Sequence, residues 1–144
     1  MINIVSNKVI YRPVRQIFDF ISTPDNDFQW QYGTLTSAFL PTGITGLGAS
    51  FRTTGHFMEH RIESTFEVTE YEPNKKYGFK SISGPMQSQT SYTFEIAGGA
   101  KNVSVSTQAS VINLFNVDEN ILEKKMKKQY KENLTMLKDI LEAT

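Results

Sequence analysis

The sequence predicts an α+β fold in which an antiparallel sheet of about seven strands closes around one long C-terminal helix. The last stretch, residues 116–143, has the length and periodicity of an amphipathic helix. Most segments before it alternate apolar and polar side chains, which is the period of half-buried strands. Short turns join these segments, so neighbouring strands pair antiparallel. The predicted order is one strand, two short helices, about six strands and the long helix.

The two faces of the long helix differ in polarity. At 3.6 residues per turn, lysines fall on one side and apolar side chains on the other. The apolar side carries Leu122, Met126, Tyr130, Leu134, Leu137, Ile140 and Leu141, together with one amide, Asn133. Asn116 or Asp118 is the predicted N-cap, because a short polar side chain accepts a hydrogen bond from a first-turn N–H group.

The chain begins with a strand and two short helices. Residues 2–11 are rich in β-branched and aromatic side chains and predict a strand, although their alternation does not reveal its inner face. Pro13 begins the first helix, since proline fits the first helical position. The second helix carries Phe28 and Trp30, and a strand over residues 32–40 follows it.

Five further strands alternate between an apolar and a polar face. They are predicted over residues 49–57, 60–69, 76–83, 86–96 and 103–111. Glycine, proline or asparagine lies between the last four of them, within residues 70–75, 84–85 and 97–102, as expected for tight turns. The apolar faces carry Phe51, Phe57, Phe66, Phe79, Met86, Tyr92 and Phe94. The sheet therefore turns an aromatic surface toward the C-terminal helix.

Composition excludes several classes of function. The length of 144 residues predicts a single domain. The 15 basic and 15 acidic residues balance, so the chain has no net positive charge that would attract nucleic acid. It has no cysteine, which excludes disulfides, thiolate metal sites and a cysteine nucleophile. No apolar run approaches the ~18 residues of a membrane span, and no signal pattern is present. We expect a cytoplasmic monomer or homodimer without integral membrane association.

Four segments, taken in order, carry a family resemblance. They are "RPVRQIFDFI" from Arg12, "FQW" from Phe28, "GLGASF" from Gly46 and "FEVTEYEPNKKYGF" from Phe66. In this order the chain resembles the START-related helix-grip superfamily (SRPBCC), in its polyketide cyclase/dehydrase-like branch. The resemblance implies a helix-grip fold with a deep cavity between a curved sheet and the C-terminal helix. It does not imply one activity, because the superfamily includes lipid carriers, cyclases, hydroxylase domains and chaperone activators.

The apolar inner faces agree with such a cavity, since small-molecule pockets have apolar walls with a few polar groups. The expected partner is a small hydrophobic ligand, lipid- or polyketide-like. The alternative is a filled core, because pocket and core use the same residue types. The candidate ligand-binding residues are Phe28, Trp30, Phe51, His60, Phe66, Phe79, Met86, Tyr92, Met126, Tyr130, Asn133 and Leu137. Ser64, Ser88 and Thr90 are further candidate polar contacts.

Three polar side chains on the predicted inner faces need partners. Asn133 lies in the middle of the apolar helix face, and a buried amide costs free energy unless it is hydrogen-bonded. Asn133 and Tyr130 either bind a ligand carbonyl or hydroxyl, or hydrogen-bond strand backbone or an ordered water. His60 is either a lone acid, base or donor in the cavity, or a satisfied buried histidine.

Two motif matches are rejected. His56 and His60 match the inverted zinc-protease pattern H-x-x-E-H, which requires a helix, whereas this segment has strand periodicity. The glycines of "GITGLG" precede a strand and not the helix that binds dinucleotide phosphates. We therefore predict no metal, no cofactor and no catalytic residue.

Two other functions stay open beside ligand binding. The first is a cyclase or dehydrase in which His60, Tyr130 or Asn133 aids proton transfer. The second is a protein-interaction module like that of chaperone activators, which an exposed apolar patch on the outer sheet face would favour.

Overall fold

The computed structural model describes residues 1–111 and 118–143, which form a seven-stranded sheet and three α-helices. The strands are β1 Ile2–Ile10, β2 Thr34–Phe39, β3 Ser50–Phe57, β4 His60–Glu72, β5 Lys76–Ser83, β6 Met86–Ala97 and β7 Ala100–Val111. The helices are α1 Val14–Ile21, α2 Asp27–Trp30 and α3 Glu119–Glu142, and a 3₁₀ turn over Pro24–Asn26 leads into α2. The predicted α+β fold and its element order are confirmed.

Every neighbouring pair of strands in the sheet is antiparallel, in the order β1-β7-β6-β5-β4-β3-β2. The first two strands lie at opposite edges, so α1 and α2 carry the chain from one edge to the other. Register shifts interrupt β2 near Thr34 and β4 near Thr65 and Val68. Such bulges bend a strand and increase its twist, which helps the sheet curve around α3.

The even-numbered residues of β1 face inward, which the sequence left undecided. Ile2, Ile4 and Ile10 are fully or almost fully buried, whereas Val5 is exposed. The cause is register, since β1 pairs with β7 from Ile2 opposite Ala109 onward and so shares the inner face of β7.

Helix α3 begins where a side chain caps it. Asp118 accepts a hydrogen bond of 2.8 Å from the backbone N–H of Asn120, so it is one of the two predicted N-caps. The other, Asn116, lies outside the described residues. Most of the predicted inner face is buried, including Leu122, Leu134 and Leu137. In the described part of the chain, no helix is both long enough and apolar enough to cross a membrane.

The C-terminal end of α3 is bound to the end of β1. The Arg12 guanidinium donates to the carbonyl oxygens of Leu141 at 2.8 Å and Glu142 at 2.7 Å. These are among the helix-end carbonyls that lack partners within the helix. The Glu142 carboxylate also accepts from the backbone N–H of Tyr11 at 2.9 Å and from Lys138 at 2.6 Å. Helix and sheet are thereby fixed together at this end.

One part of the interior is filled by side chains, and we call it the packed end. It comprises Phe18, Tyr77, Phe94, Val103, Leu137 and Leu141, all of them buried. The Phe18 ring meets those of Tyr77 and Phe94 edge-on, with centroids 6.4 and 5.6 Å apart. Edge-to-face pairs add stability beyond their buried area. The remaining interior, toward the N-terminal half of α3, contains the candidate site.

Candidate ligand cavity

A cavity of about 230 Å³ is lined by side chains of α2, β2 to β7 and α3. It is just below the ~300–1,000 Å³ of typical small-molecule pockets and far larger than the ~30 Å³ share of one water. Its apolar lining consists of Phe51, Phe57, Ile62, Phe66, Phe79, Pro85, Met86 and Met126. Its polar lining consists of Asp27, Gln31, Thr34, Thr53, Ser64, Ser88, Thr90, Tyr92, Thr107, Gln129 and Tyr130.

Three aromatic rings form one wall of the cavity. Phe51 stacks on Phe66 with centroids 5.2 Å apart, and Phe79 meets both rings edge-on at 5.2 and 5.3 Å. The strand register produces this cluster, because Phe51 pairs directly with Phe66, and Phe79 lies on the inner face of the adjacent strand β5. The result is a rigid apolar surface that suits flat or chain-like apolar groups.

A chain of hydroxyl groups reaches the cavity from the other side. Thr90 and Thr107, opposite each other on β6 and β7, have oxygens 3.0 Å apart, and Thr107 lies 2.9 Å from the Tyr130 hydroxyl. Burial raises the pKa of Tyr130, although hydrogen bonds from Thr107 and Thr90 oppose the shift. Tyr130 therefore stays neutral at physiological pH and acts as a hydrogen-bonding group.

A second polar network ties α3 to the end of α2. The Asn133 amide accepts from the backbone N–H of Tyr32 at 2.8 Å and donates to the Gln31 side-chain oxygen at 2.9 Å. The Gln31 amide nitrogen donates to the Tyr92 hydroxyl at 3.2 Å. Asn133 is buried. Its amide thus bonds backbone, as in the second of the two predicted alternatives, but Tyr32 lies in the turn before β2 and not in a strand, and the other partner is a side chain.

Asp27 is a cavity residue that the sequence analysis missed. Its half-buried side chain lines the cavity beside the Ser37 hydroxyl, which in turn lies 3.0 Å from the Thr53 hydroxyl. Burial raises the pKa of Asp27 to about 8, while a hydrogen bond from Ser37 lowers it and the charge of Asp25 raises it further. One sequence signal was available: Asp27 lies three and four residues before Trp30 and Gln31, on the same face of α2.

The structure separates the predicted site residues into two groups. Those lining the cavity are Phe51, Phe66, Phe79, Met86, Tyr92, Met126 and Tyr130, and the predicted polar contacts Ser64, Ser88 and Thr90 join them. The residues away from it are Phe28, Trp30, His60, Asn133 and Leu137. Leu137 belongs to the filled core, as does Trp30, whose indole N–H has no hydrogen-bond partner in the described chain. Phe28 is 58% exposed.

The placement of His60 on a buried inner face is wrong. It follows the two-residue turn of Met58 and Glu59, both in the left-handed region with φ of 50° and 68°, and its side chain is exposed. Its parity is that of the inner face, but the β3–β4 hairpin ends here. His56 pairs with Arg61 and His60 with Phe57, which puts the two histidines on opposite faces. Within residues 1–111 and 118–143, no three potential metal ligands cluster.

A curved antiparallel sheet around a long C-terminal helix defines the helix-grip class of proteins. A family model described as polyketide cyclase / dehydrase and lipid transport matches residues 1–142. The chain therefore belongs to this family, and the predicted START-related, polyketide cyclase-like membership is confirmed. No curated protein matches the chain.

Solved structures share the fold at low sequence identity. The protein TTHA0849 from Thermus thermophilus is 13% identical with a TM-score of 0.83, and the match covers 99% of both chains. A START superfamily protein from Mycobacterium smegmatis is 11% identical with a TM-score of 0.81, again over 99% of both chains. The di-domain ARO/CYC BexL of the BE-7585A biosynthetic pathway is 12% identical with a TM-score of 0.74. That match covers 99% of this chain and 47% of BexL.

Proposed function

We propose that the protein is a single ligand-binding domain that holds a small, largely apolar, lipid- or polyketide-like molecule in the cavity. The observation that carries this proposal is the lining itself, an aromatic wall facing a set of hydroxyl groups around about 230 Å³. Pockets that bind small molecules combine these features, with apolar contacts supplying affinity and a few polar groups setting orientation. A cytoplasmic location and a monomeric or homodimeric state remain predictions.

Within this proposal the predicted residues have different roles. Phe51, Phe66 and Phe79 contact the apolar body of the ligand, together with the two methionines Met86 and Met126, whose flexible side chains adapt to its shape. The hydroxyls of Tyr92 and Tyr130, with those of Ser64, Ser88 and Thr90, orient its polar atoms. Trp30, Asn133 and Leu137 support these walls from behind.

The test is binding of 2-ethylnaphthalene, a small apolar fluorophore, followed by its fluorescence during titration with protein. Ser88→Leu places a bulky side chain in the cavity and is expected to weaken binding at least about tenfold, since the probe and the introduced side chain compete for one volume. Gln89→Leu is the matched control, because the neighbouring position on β6 is exposed on the outer face. Absence of binding, or equal loss in both variants, would contradict the proposal. Native mass spectrometry of protein purified from its source would identify a co-purifying ligand.

A second candidate function is a cyclase or dehydrase type of enzyme, which the family description includes. The observation that favours it is a carboxyl group, Asp27, in the same cavity as the phenols of Tyr92 and Tyr130, so that proton donors surround the bound molecule. Of the three residues predicted to aid proton transfer, only Tyr130 lines the cavity. The test is incubation with a short linear poly-β-ketone, with product analysis. Unchanged turnover in both Asp27→Asn and Tyr130→Phe would remove these groups from the chemistry.

A further inference from the structure

We propose that Asp27 is the polar anchor of the cavity, and that its neutral carboxyl group donates a hydrogen bond to a carbonyl oxygen of the ligand. The proposal rests on the proposed function and narrows it to apolar molecules that carry a ketone, ester or aldehyde group.

The backbone around Asp27 is held at several points. Its carbonyl oxygen accepts from the Gln31 N–H at 2.8 Å, closing the single turn of α2. Trp30, only 3% exposed, anchors that turn in the core with its ring 6.1 Å from that of Tyr92. The Gln31 side chain is bound by both Asn133 and Tyr92. Asp27 therefore projects into the cavity from a fixed position, as a specific binding group requires.

The described titratable groups that interact with Asp27 are all acids. The titratable groups that act on it or respond to it are Asp25, Tyr77 and Tyr92. Among the described residues that line the cavity, none is lysine, arginine or histidine. A carboxylate without a cation is costly in such a site, which is why the pKa of Asp27 rises to about 8 through burial. At neutral pH the group mainly carries its proton and can donate it in a hydrogen bond.

The groups around the Asp27 carboxyl favour one class of ligand. Ser37 hydrogen-bonds one side of the Asp27 carboxyl group and is itself within hydrogen-bonding distance of Thr53. The Tyr92 hydroxyl accepts from Gln31. A neutral carboxyl donor in an apolar cavity complements a carbonyl oxygen. A ligand carboxylate or phosphate would find no positive charge among the described lining residues.

The experiment compares two probes of nearly the same shape, 2-acetylnaphthalene and 2-ethylnaphthalene, by fluorescence titration at pH 6.5 and pH 9.5. The protein as it stands is expected to prefer the acetyl probe about 3- to 10-fold at pH 6.5, the worth of one hydrogen bond. At pH 9.5 this preference disappears, because the carboxylate is an acceptor only. The ethyl probe reports the cavity alone and is expected to bind with the same affinity at both pH values.

Two variants distinguish the hydrogen bond from Asp27 from the apolar contacts of the cavity walls. Asp27→Asn keeps an N–H donor, so the preference for the acetyl probe is expected at both pH values. Asp27→Leu has no donor and is expected to lose the preference at both, while still binding the ethyl probe. Circular dichroism checks that each variant is folded, and a variant that does not fold leaves the pH comparison on the unaltered chain to decide.

Three results would contradict the proposal that Asp27 donates a hydrogen bond to the ligand. Equal binding of both probes at pH 6.5 is the first, and a preference that Asp27→Leu retains is the second. The third is tighter binding of 1-(2-naphthyl)ethylamine than of the acetyl probe at pH 6.5, which would make Asp27 a binding group for cations. Failure of the ethyl probe to bind is a different result, because it removes the cavity function and the anchor together.

Discussion

The packed end and the cavity are built from the same strands and the same helix, yet one is filled and the other is open. On β5, Tyr77 belongs to the packed end and Phe79, two residues on, lines the cavity. On α3, Leu137 lies in the packed end, whereas Met126 and Tyr130 line the cavity. Element type and strand order therefore do not decide where the protein is hollow.

What differs is the size and polarity of the inward side chains. Packed-end positions on β6 and β7 carry Phe94 and Val103, whereas the cavity positions on the same strands include Thr90 and Thr107. Threonine and serine occupy less volume than phenylalanine or leucine, and their hydroxyls bond one another across strands. Inward serine and threonine thus leave space and also supply polar contacts.

The largest effect is expected from Leu137→Ala, in the packed end. Leu137 is fully buried, so its truncation leaves a cavity and is expected to cost about 3 kcal/mol of unfolding free energy. Met126→Ala is the matched change on the cavity side of α3 and is expected to cost less than half as much, because Met126 already borders open volume. Urea denaturation measures both, and equal costs would mean that the cavity is as tightly packed as the core.

Asn133→Leu is expected to cost about 2 kcal/mol, because it leaves the Tyr32 N–H and the Gln31 side chain without their present partner. The affinity for 2-ethylnaphthalene is expected to change less than twofold, since Asn133 does not line the cavity. Tyr130→Phe is the matched cavity-facing change: a smaller loss of stability, with a larger change in probe affinity. If Asn133→Leu instead changed probe affinity more than stability, Asn133 would be a residue of the binding site.

The sequence predicted the fold well because strand alternation and helix periodicity are local signals. The inner faces of β3 to β7 and of α3 followed directly from them. The prediction of burial was wrong at the end of a hairpin. His60 lies on the inner face of β4 by alternation, but the tip of the β3–β4 hairpin extends beyond the buried surface, so its side chain is exposed. The sequence also could not pair Asn133 with Tyr32, since that contact joins residues 101 positions apart.

Asp27 was missed for a related reason. In the sequence it is one acid among several, and its spacing from Trp30 and Gln31, the one local signal that separates it from the exposed Asp25, does not by itself place it in a cavity. Only the folding of α2 over the sheet places Asp27 beside Ser37 and Thr53. The cavity itself was equally beyond reach, because its volume depends on side chains from eight different elements.

A smaller change in stability is expected when a side chain is enlarged instead of truncated. Ala49→Leu adds bulk where the side chain is fully buried in the core and is expected to destabilise by at least about 1 kcal/mol. Ser88→Leu adds similar bulk on the cavity wall and is expected to be neutral or mildly stabilising, because the new side chain enters open volume. Thermal unfolding of both variants checks this, and a strong destabilisation by Ser88→Leu would indicate that the cavity does not exist at this size.

The last expected effect is a dependence on pH that comes from the cavity alone. Unfolded, Asp27 ionises near its ordinary pKa of 3.8, whereas burial raises its pKa to about 8 in the folded protein. Between these values the unfolded chain has released a proton that the folded protein keeps. Rising pH therefore favours unfolding, by at most about 1.4 kcal/mol per pH unit.

Above about pH 8 both states are ionised and this contribution stops changing. Because Asp27 is only half-buried, the free energy of unfolding is expected to fall with pH by less than this limit. The measurement is urea denaturation of the unaltered chain and of Asp27→Asn from pH 5 to pH 9, and the difference between them cancels all other titrating groups. The variant's relative stability is expected to grow up to about pH 8 and then level off. A difference that is constant with pH would mean that Asp27 is ionised in the folded state, and the cavity would then contain a charge where we infer a neutral donor.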